Sequence, residues 1–298
     1  MGIINYANGQ YNGDVVNGIR HGRGIMRYTD GIVYEGEYFN DKMHGKGKYT
    51  WPSGGYYQGD FANGDFNGHG LRVYANGDRF EGTWAHDKKN GYGRYTWTDG
   101  SYFEGMLVDD QFCGQGVKVF PSGARMEGNW QNDKLSGKGK YTWPDGGYYE
   151  GNFVDGQFHG YGVRIFKSGA RYEGEWAYDK KHGQGKYTWP SGNYYQGTLV
   201  EDMFEGHGMK VFAGGDRYEG NFHQDQFSGL GKYTWASGAY YHGYFSEDNF
   251  NGYGLRVYSN GDRYVGQWKD DKRHGYGQFT SAEGRTLDGE WEEDNFVG

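Results

Sequence analysis

Aromatic and glycine positions recur along this chain with a fixed step of 23 residues. With place 1 set at Tyr11, the step lands on Tyr34, Tyr57, Phe80, Phe103, Met126, Tyr149, Tyr172, Tyr195, Tyr218, Tyr241, Tyr264 and Leu287, without one insertion or deletion. Places 3, 12, 14 and 21 are glycine in every copy and hold fifty of the 58 glycines. All ten tryptophans fall at place 5 or place 18, and all four prolines at place 19. Such a period is the mark of a repeat architecture.

The copy over residues 34–56 shows the physics. Tyr34-Glu35-Gly36-Glu37-Tyr38 alternates apolar or glycine with polar, which predicts a strand with two unlike faces. A five-residue loop, Asn40 to His44, is expected next. Gly45 to Trp51 alternates again, and Pro52-Ser53-Gly54-Gly55 reads as a turn, because proline presets φ and glycine takes positive φ. The glycines inside strands are expected to leave room for a ring from a neighbouring strand. Helix is excluded by so much glycine, at ~1 kcal/mol for each interior residue.

Each copy is therefore strand, loop, strand, turn. The predicted fold class is all-β: an elongated, single-layer antiparallel β-meander of stacked 23-residue hairpin repeats, a solenoid-like array. Roughly 25 strands at ~4.8 Å spacing predict a twisted ribbon about 120 Å long. One continuous array is expected over 1–298. It has a half-repeat at 2–10, repeats starting at 11, 34, 57, 80, 103, 126, 149, 172, 195, 218, 241 and 264, and a half-repeat at 287–298.

Composition narrows the function. The 30 Tyr, 18 Phe and 10 Trp are too many for a disordered chain, while a mean hydropathy of −1.00 rules out a thick aliphatic core. A net charge of −8 opposes nucleic-acid binding and simple attraction to anionic lipid. The single cysteine, Cys113, permits no intrachain disulfide and fits a reducing compartment. Met1 to Gln10 lacks the apolar stretch of ~7–15 residues that an export leader needs. No run reaches the ~20 apolar residues of a membrane helix. A cytoplasmic protein, associated with cytoskeleton or membrane, is the expectation.

The segment Tyr172-Glu173-Gly174-Glu175-Trp176, the loop Asp179-Lys180-Lys181-His182-Gly183, then Gly185-Lys186-Tyr187 and Gly192, resembles the MORN (membrane occupation and recognition nexus) repeat. The resemblance covers about residues 2–298. It implies an elongated antiparallel sheet and a role in protein or lipid contacts, as in cytoskeletal, ciliary, junctional and parasite-scaffold members. The lipid-kinase and SET methyltransferase domains that accompany such repeats elsewhere are absent, so the resemblance carries over no catalysis.

The copies alternate between two kinds, which makes a 46-residue unit. One kind has Lys-Tyr-Thr-Trp at places 15–18, as at 48–51. The other has aliphatic residues at places 15 and 17, Phe at place 10 and a tyrosine just before it at place 23. The resulting set is Tyr56, Leu71, Val73; Tyr102, Val117, Val119; Tyr148, Val163, Ile165; Tyr194, Met209, Val211; and Tyr240, Leu255, Val257. Two readings stand open. Either a β-bulge near place 14 returns these side chains to the Tyr–Gly face, or they form a second apolar stripe for a partner. A separate candidate edge for self-association comprises Trp268, Leu287, Trp291 and Phe296, with a closed two-fold dimer favoured over a filament.

Other chemistry is weak. Histidines at place 11 (His21, His44, His159, His182, His274) would stand two strands apart, about 10 Å, too far to share a zinc ion. Asp at place 8, in ten of thirteen copies, reads as a solvated loop edge. Arg at place 23 is expected to pair with Glu at place 2, as Arg125 with Glu127. The recurrent Gly-x-Gly precedes strands, whereas phosphate cradles need a helix N-terminus. No catalytic, cofactor or metal residues are expected. The leading reading is a non-enzymatic scaffold for protein partners. A peripheral phosphoinositide-binding module and an aromatic-strip carbohydrate binder are the alternatives.

Overall fold

The computed structural model describes residues 1–298. It holds 27 strands, from β1 (Gly2–Tyr6) to β27 (Asn295–Phe296), and no helix. The chain divides into two compact units, Met1–Pro144 with Phe153–Gly156, and Asp145–Asn152 with Gln157–Gly298. Within each unit successive strands pair antiparallel and build an open, all-β meander.

The copy from residue 34 gives the local logic. β4 (Val33–Phe39) and β5 (Lys42–Thr50) are joined by Asn40 and Asp41 alone, so the expected five-residue loop shrinks to a two-residue turn. Both turn residues have positive φ, 47° and 65°. That is the tight hairpin turn whose twist matches the strands, and Asn and Asp tolerate it best among non-glycine residues. The second turn closes by Gly54 N–H donating to the Trp51 carbonyl at 3.0 Å.

β5 carries two extra residues, Gly45 and Lys46: Gly36 faces Gly47, whereas Glu37 faces His44 and Tyr38 faces Met43. Because two residues are inserted and not one, the alternation of faces survives the bulge. Gly45 sits in this bulge with φ of 58°. Place-12 glycines are thus required by backbone conformation. Gly137, with φ of 78°, has nothing within 4 Å of where a Cβ would stand, which corrects the expectation that glycine there makes room for rings.

Room for rings is the task of places 3 and 14. A Cβ on Gly36 would fall 2.5 Å from the Tyr34 hydroxyl oxygen, and one on Gly47 would strike the same ring. For Gly47 the ring comes from the paired strand, as expected; for Gly36 it comes from its own strand. Lying flat over both glycines, Tyr34 donates its hydroxyl to the Glu37 carbonyl at 2.9 Å, an acceptor left free by the bulge. The same bond recurs in Tyr57, Tyr149, Tyr172, Tyr195, Tyr218 and Tyr241.

These place-1 rings are the core, fully buried on one face. Tyr57 is met edge-on by Phe61 of its own copy (5.2 Å, 86°) and by Trp84 of the next (5.3 Å, 84°). Phe66 stacks flat on it. The place-5 tryptophans then reach back: Trp84, Trp130, Trp176, Trp268 and Trp291 donate Nε1 to the place-14 carbonyl fourteen residues earlier. Each aromatic pair adds about 0.5–1.5 kcal/mol beyond area burial, so a sheet with few aliphatic residues is held by geometry as much as by hydrophobicity.

Candidate interaction surface

The place-8 aspartates, mostly exposed as expected, are also structural acceptors. Asp87 takes the Phe66 amide at 2.7 Å, and Asp133, Asp179, Asp225, Asp248 and Asp271 repeat the bond to the amide 21 residues earlier. Arg20 binds Asp41 at 2.7 Å from Nε and holds its carboxyl below the ordinary carboxylate range. These carboxylates tie one hairpin to the next and are occupied by that task.

On the Tyr–Gly face, toward the second turn, cations lie between half-exposed rings. Arg72 sits over Trp51 at 3.2 Å and within 5.1 Å of Tyr74; Arg256 does the same over Trp235 and Tyr258 at 4.2 and 4.9 Å. Lys118 and Lys210 occupy the equivalent place. The buried Nη1 of Arg72 and Nε of Arg256 have no hydrogen-bond acceptor. Burial lowers the Arg72 pKa, and the ring faces supply the compensating attraction. The alternation of Trp with Arg or Lys at places 18 and 16 was visible in the sequence but unread.

The opposite face holds the fifteen-residue candidate stripe. Tyr56 pairs with Val73, and Gln58 with Leu71, between β6 (Tyr56–Ala62) and β7 (Asp65–Val73). Tyr57, between Tyr56 and Gln58, is buried in the ring stack, so its neighbours point the other way. All fifteen side chains are half-buried. The tyrosines are capped by cations from the preceding strand: Lys48 over Tyr56 (4.4 Å), Arg94 over Tyr102 (3.8 Å), Lys186 over Tyr194 (4.2 Å) and Lys232 over Tyr240 (4.5 Å). Arg–Glu pairs flank the set, Arg125 with Glu127 at 2.9 Å, and Arg171 with Glu173.

In the first unit this face forms an open trough of about 1220 Å³. Glycines of places 3 and 14, such as Gly36, Gly47, Gly59 and Gly70, form its floor, and places 2, 4, 13 and 15 its walls. One ion pair stands at its wall: Lys46 meets Asp60 at 2.6 Å.

In the second unit places 4 and 13 of the same wall carry no charge from Gln184 to Tyr276, whereas places 2 and 15 keep Glu219, Lys186 and Lys232. Leu230, Tyr244, Tyr253 and Tyr276 are 51, 53, 59 and 57% exposed. Leu230 faces Tyr244 directly, Tyr253 faces Gln267, and Tyr276 faces Glu290. The sequence reading missed this row. Of the proposed edge residues, Trp268 and Trp291 are buried in the ring stack, whereas Leu287 and Phe296 are exposed.

Set against known families, the MORN repeat matches twelve consecutive segments, from 11–33 and 34–56 through 127–148 to 264–284. The chain belongs to the MORN repeat family. Its sixth match begins one place late, where Met126 stands in place of the MORN ring. No curated protein matches in sequence. Among solved structures, the TCP10 domain of Danio rerio CPAP, in complex with a peptide of Danio rerio STIL, is 12% identical with a TM-score of 0.28, over 86% of this chain and 97% of that one. The SAS-4 (dCPAP) TCP domain of Drosophila melanogaster, in complex with a proline-rich motif of Ana2, is 11% identical with a TM-score of 0.30, over 66% and 89%. A streptogramin B lyase is 12% identical with a TM-score of 0.15, over 96% and 88%. No helix is long and apolar enough to cross a membrane.

Proposed function

We propose that this MORN protein is a non-enzymatic scaffold that works in the cytoplasm, at a contact between cytoskeleton and membrane, as one array of repeats from 1 to 298. The observation that carries the reading is the exposed row of neutral side chains, Leu230, Tyr244, Tyr253 and Tyr276, on one wall of the second unit. Aromatic side chains held on a rigid sheet give contact area at small entropic cost, and tyrosine is enriched where proteins meet. The cations of the opposite face weigh against a phosphoinositide site, since Lys46 and Lys48 are engaged by Asp60 and Tyr56. Self-association belongs to the same proposal: the exposed Leu287 and Phe296 would meet a second copy as a two-fold dimer.

The test presents the full chain to three ligand classes in parallel. Immobilised protein is exposed to cytoplasmic extract, liposomes with and without phosphoinositide are floated, and a glycan array is probed. Retention of a defined set of proteins, without flotation or glycan binding, is expected. Flotation that depends on phosphoinositide, or saturable glycan binding without protein capture, would replace the scaffold reading.

A further inference from the structure

The exposed wall of the second unit has a spacing that names a partner. Leu230, Tyr253 and Tyr276 occupy place 13 of three successive repeats, on β21 (Gln226–Thr234), β23 (Asn249–Val257) and β25 (Lys272–Thr280). Two strand spacings separate each from the next, about 9.6 Å. A polyproline II helix repeats every three residues, about 9.3 Å, so one face of such a chain laid across the strands meets one of these side chains on every turn. Tyr244, opposite Leu230 on β22 (Tyr240–Ser246), fills the interval between the first two.

The hydroxyls are also prepared for this. At the same place in earlier repeats Tyr92 donates to Glu104 at 2.9 Å, and Tyr161 to Glu173 at 2.7 Å, each twelve residues on. Twelve residues after Tyr253 stands Val265, and the hydroxyls of Tyr244, Tyr253 and Tyr276 have no partner within the protein. A polyproline II segment has no internal hydrogen bonds, so its carbonyls need donors of this kind. Charge sets the remaining feature. Leu230, Tyr244, Tyr253 and Tyr276 are themselves neutral, and the Lys232 ammonium near them is held over the Tyr240 ring at 4.5 Å. Beyond Tyr276 the row meets the exposed carboxylates of Asp288 and Glu290, neither of which has a cation partner.

We infer that the wall formed by Leu230, Tyr244, Tyr253 and Tyr276 docks an uncharged, proline-containing extended segment of a partner protein, with a basic residue at the end that meets Asp288 and Glu290. This rests on the scaffold reading and gives its partner a chemistry.

The experiment titrates full-length protein with labelled peptides of Ala-Pro-Pro triplets carrying one arginine at either end, beside peptides of Gly-Gly-Ser triplets with the same charge. The proline series is expected to bind about tenfold tighter, a difference of ~1.4 kcal/mol. Tyr253→Ser combined with Tyr276→Ser should abolish that preference, and Tyr92→Ser should leave it intact, with thermal unfolding unchanged in both. Equal binding of the two series, no binding at millimolar peptide, or loss of binding in Tyr92→Ser would overturn the assignment. If the peptides fail while extract proteins are still retained, the polyproline assignment alone falls; if capture fails too, the scaffold reading falls with it.

Discussion

The carboxylate of Asp87 accepts the backbone amide of Phe66, 21 residues earlier, at 2.7 Å, while its own amide donates to the Phe66 carbonyl at 3.2 Å. One residue thus closes a ring of two bonds between neighbouring hairpins and also holds the positive φ of its turn, 63°. Asp87→Ala should lose the acceptor and meet the αL penalty, about 2–3 kcal/mol together. Asp87→Asn keeps an oxygen acceptor and tolerates the conformation, so its cost should stay below about 1 kcal/mol. Hydrogen exchange at the Phe66 amide would separate the two; equal protection in both variants would remove the tie from this account.

Glycine variants should sort by place. Gly47→Ala forces a methyl into the Tyr34 ring, with an overpacking cost of about 1–3 kcal/mol. Gly137→Val meets empty space and carries only the backbone penalty at φ of 78°, about 1–2 kcal/mol, increased by its branched Cβ. Urea unfolding of Gly137→Ala beside Gly47→Ala is the cleaner comparison. The first should respond to a D-alanine introduced by semisynthesis, which relieves αL strain, and the second should not.

Phe80→Tyr should stabilise. Phe80 lies over Gly82 and Gly93 as Tyr57 lies over Gly59 and Gly70, but it has no hydroxyl to meet the carbonyl of Thr83. Restoring that bond is worth about 0.5–1.5 kcal/mol. A lower midpoint of thermal unfolding would mean that the phenylalanine copies are packed differently.

Alkali should unfold the protein late and steeply. Burial raises the pKa of the place-1 tyrosines above the ordinary value; Tyr264 is pushed up to about 12, and Tyr34, Tyr57, Tyr172, Tyr195, Tyr218 and Tyr241 are pushed further. An acid whose folded pKa lies above its unfolded value of about 10 contributes its full stability below that pH. The contribution falls as pH rises through 10 toward the folded values, because only the unfolded chain releases the proton. Tyrosinate absorbance and circular dichroism should change together above about pH 10. Ionisation of these rings without loss of the sheet signal would contradict their burial.

Sedimentation of the full chain beside Leu287→Ser with Phe296→Ser tests self-association. A concentration-dependent dimer that the double variant weakens is expected. A monomer at tens of micromolar in both would end that proposal.

The repeat, the strand pairs and the ring–glycine face were legible because each depends on residues a few places apart in one copy. The turn at Asn40-Asp41 was legible in principle, since two adjacent residues of that kind mark a tight hairpin. It was lengthened because the polar residues after it resemble loop. Place 12 was misread because glycine looks alike whether it supplies space or positive φ. The Asp tie was hidden because its acceptor role is defined by an amide 21 residues away. The tyrosine wall was hidden because it depends on what is missing, the glutamate that Tyr92 has and Tyr253 lacks.

The ties between copies span 14 residues from tryptophan to carbonyl and 21 from aspartate to amide. No such bond waits for the distant end of the chain. Most β-sheet proteins fold slowly because their pairings close long loops. Here each closure is short and alike, so a nucleus formed in any copy can grow to either side. Folding time should therefore be set by the first few hairpins and depend little on how many follow. In that respect this all-β chain should behave kinetically like a helical bundle.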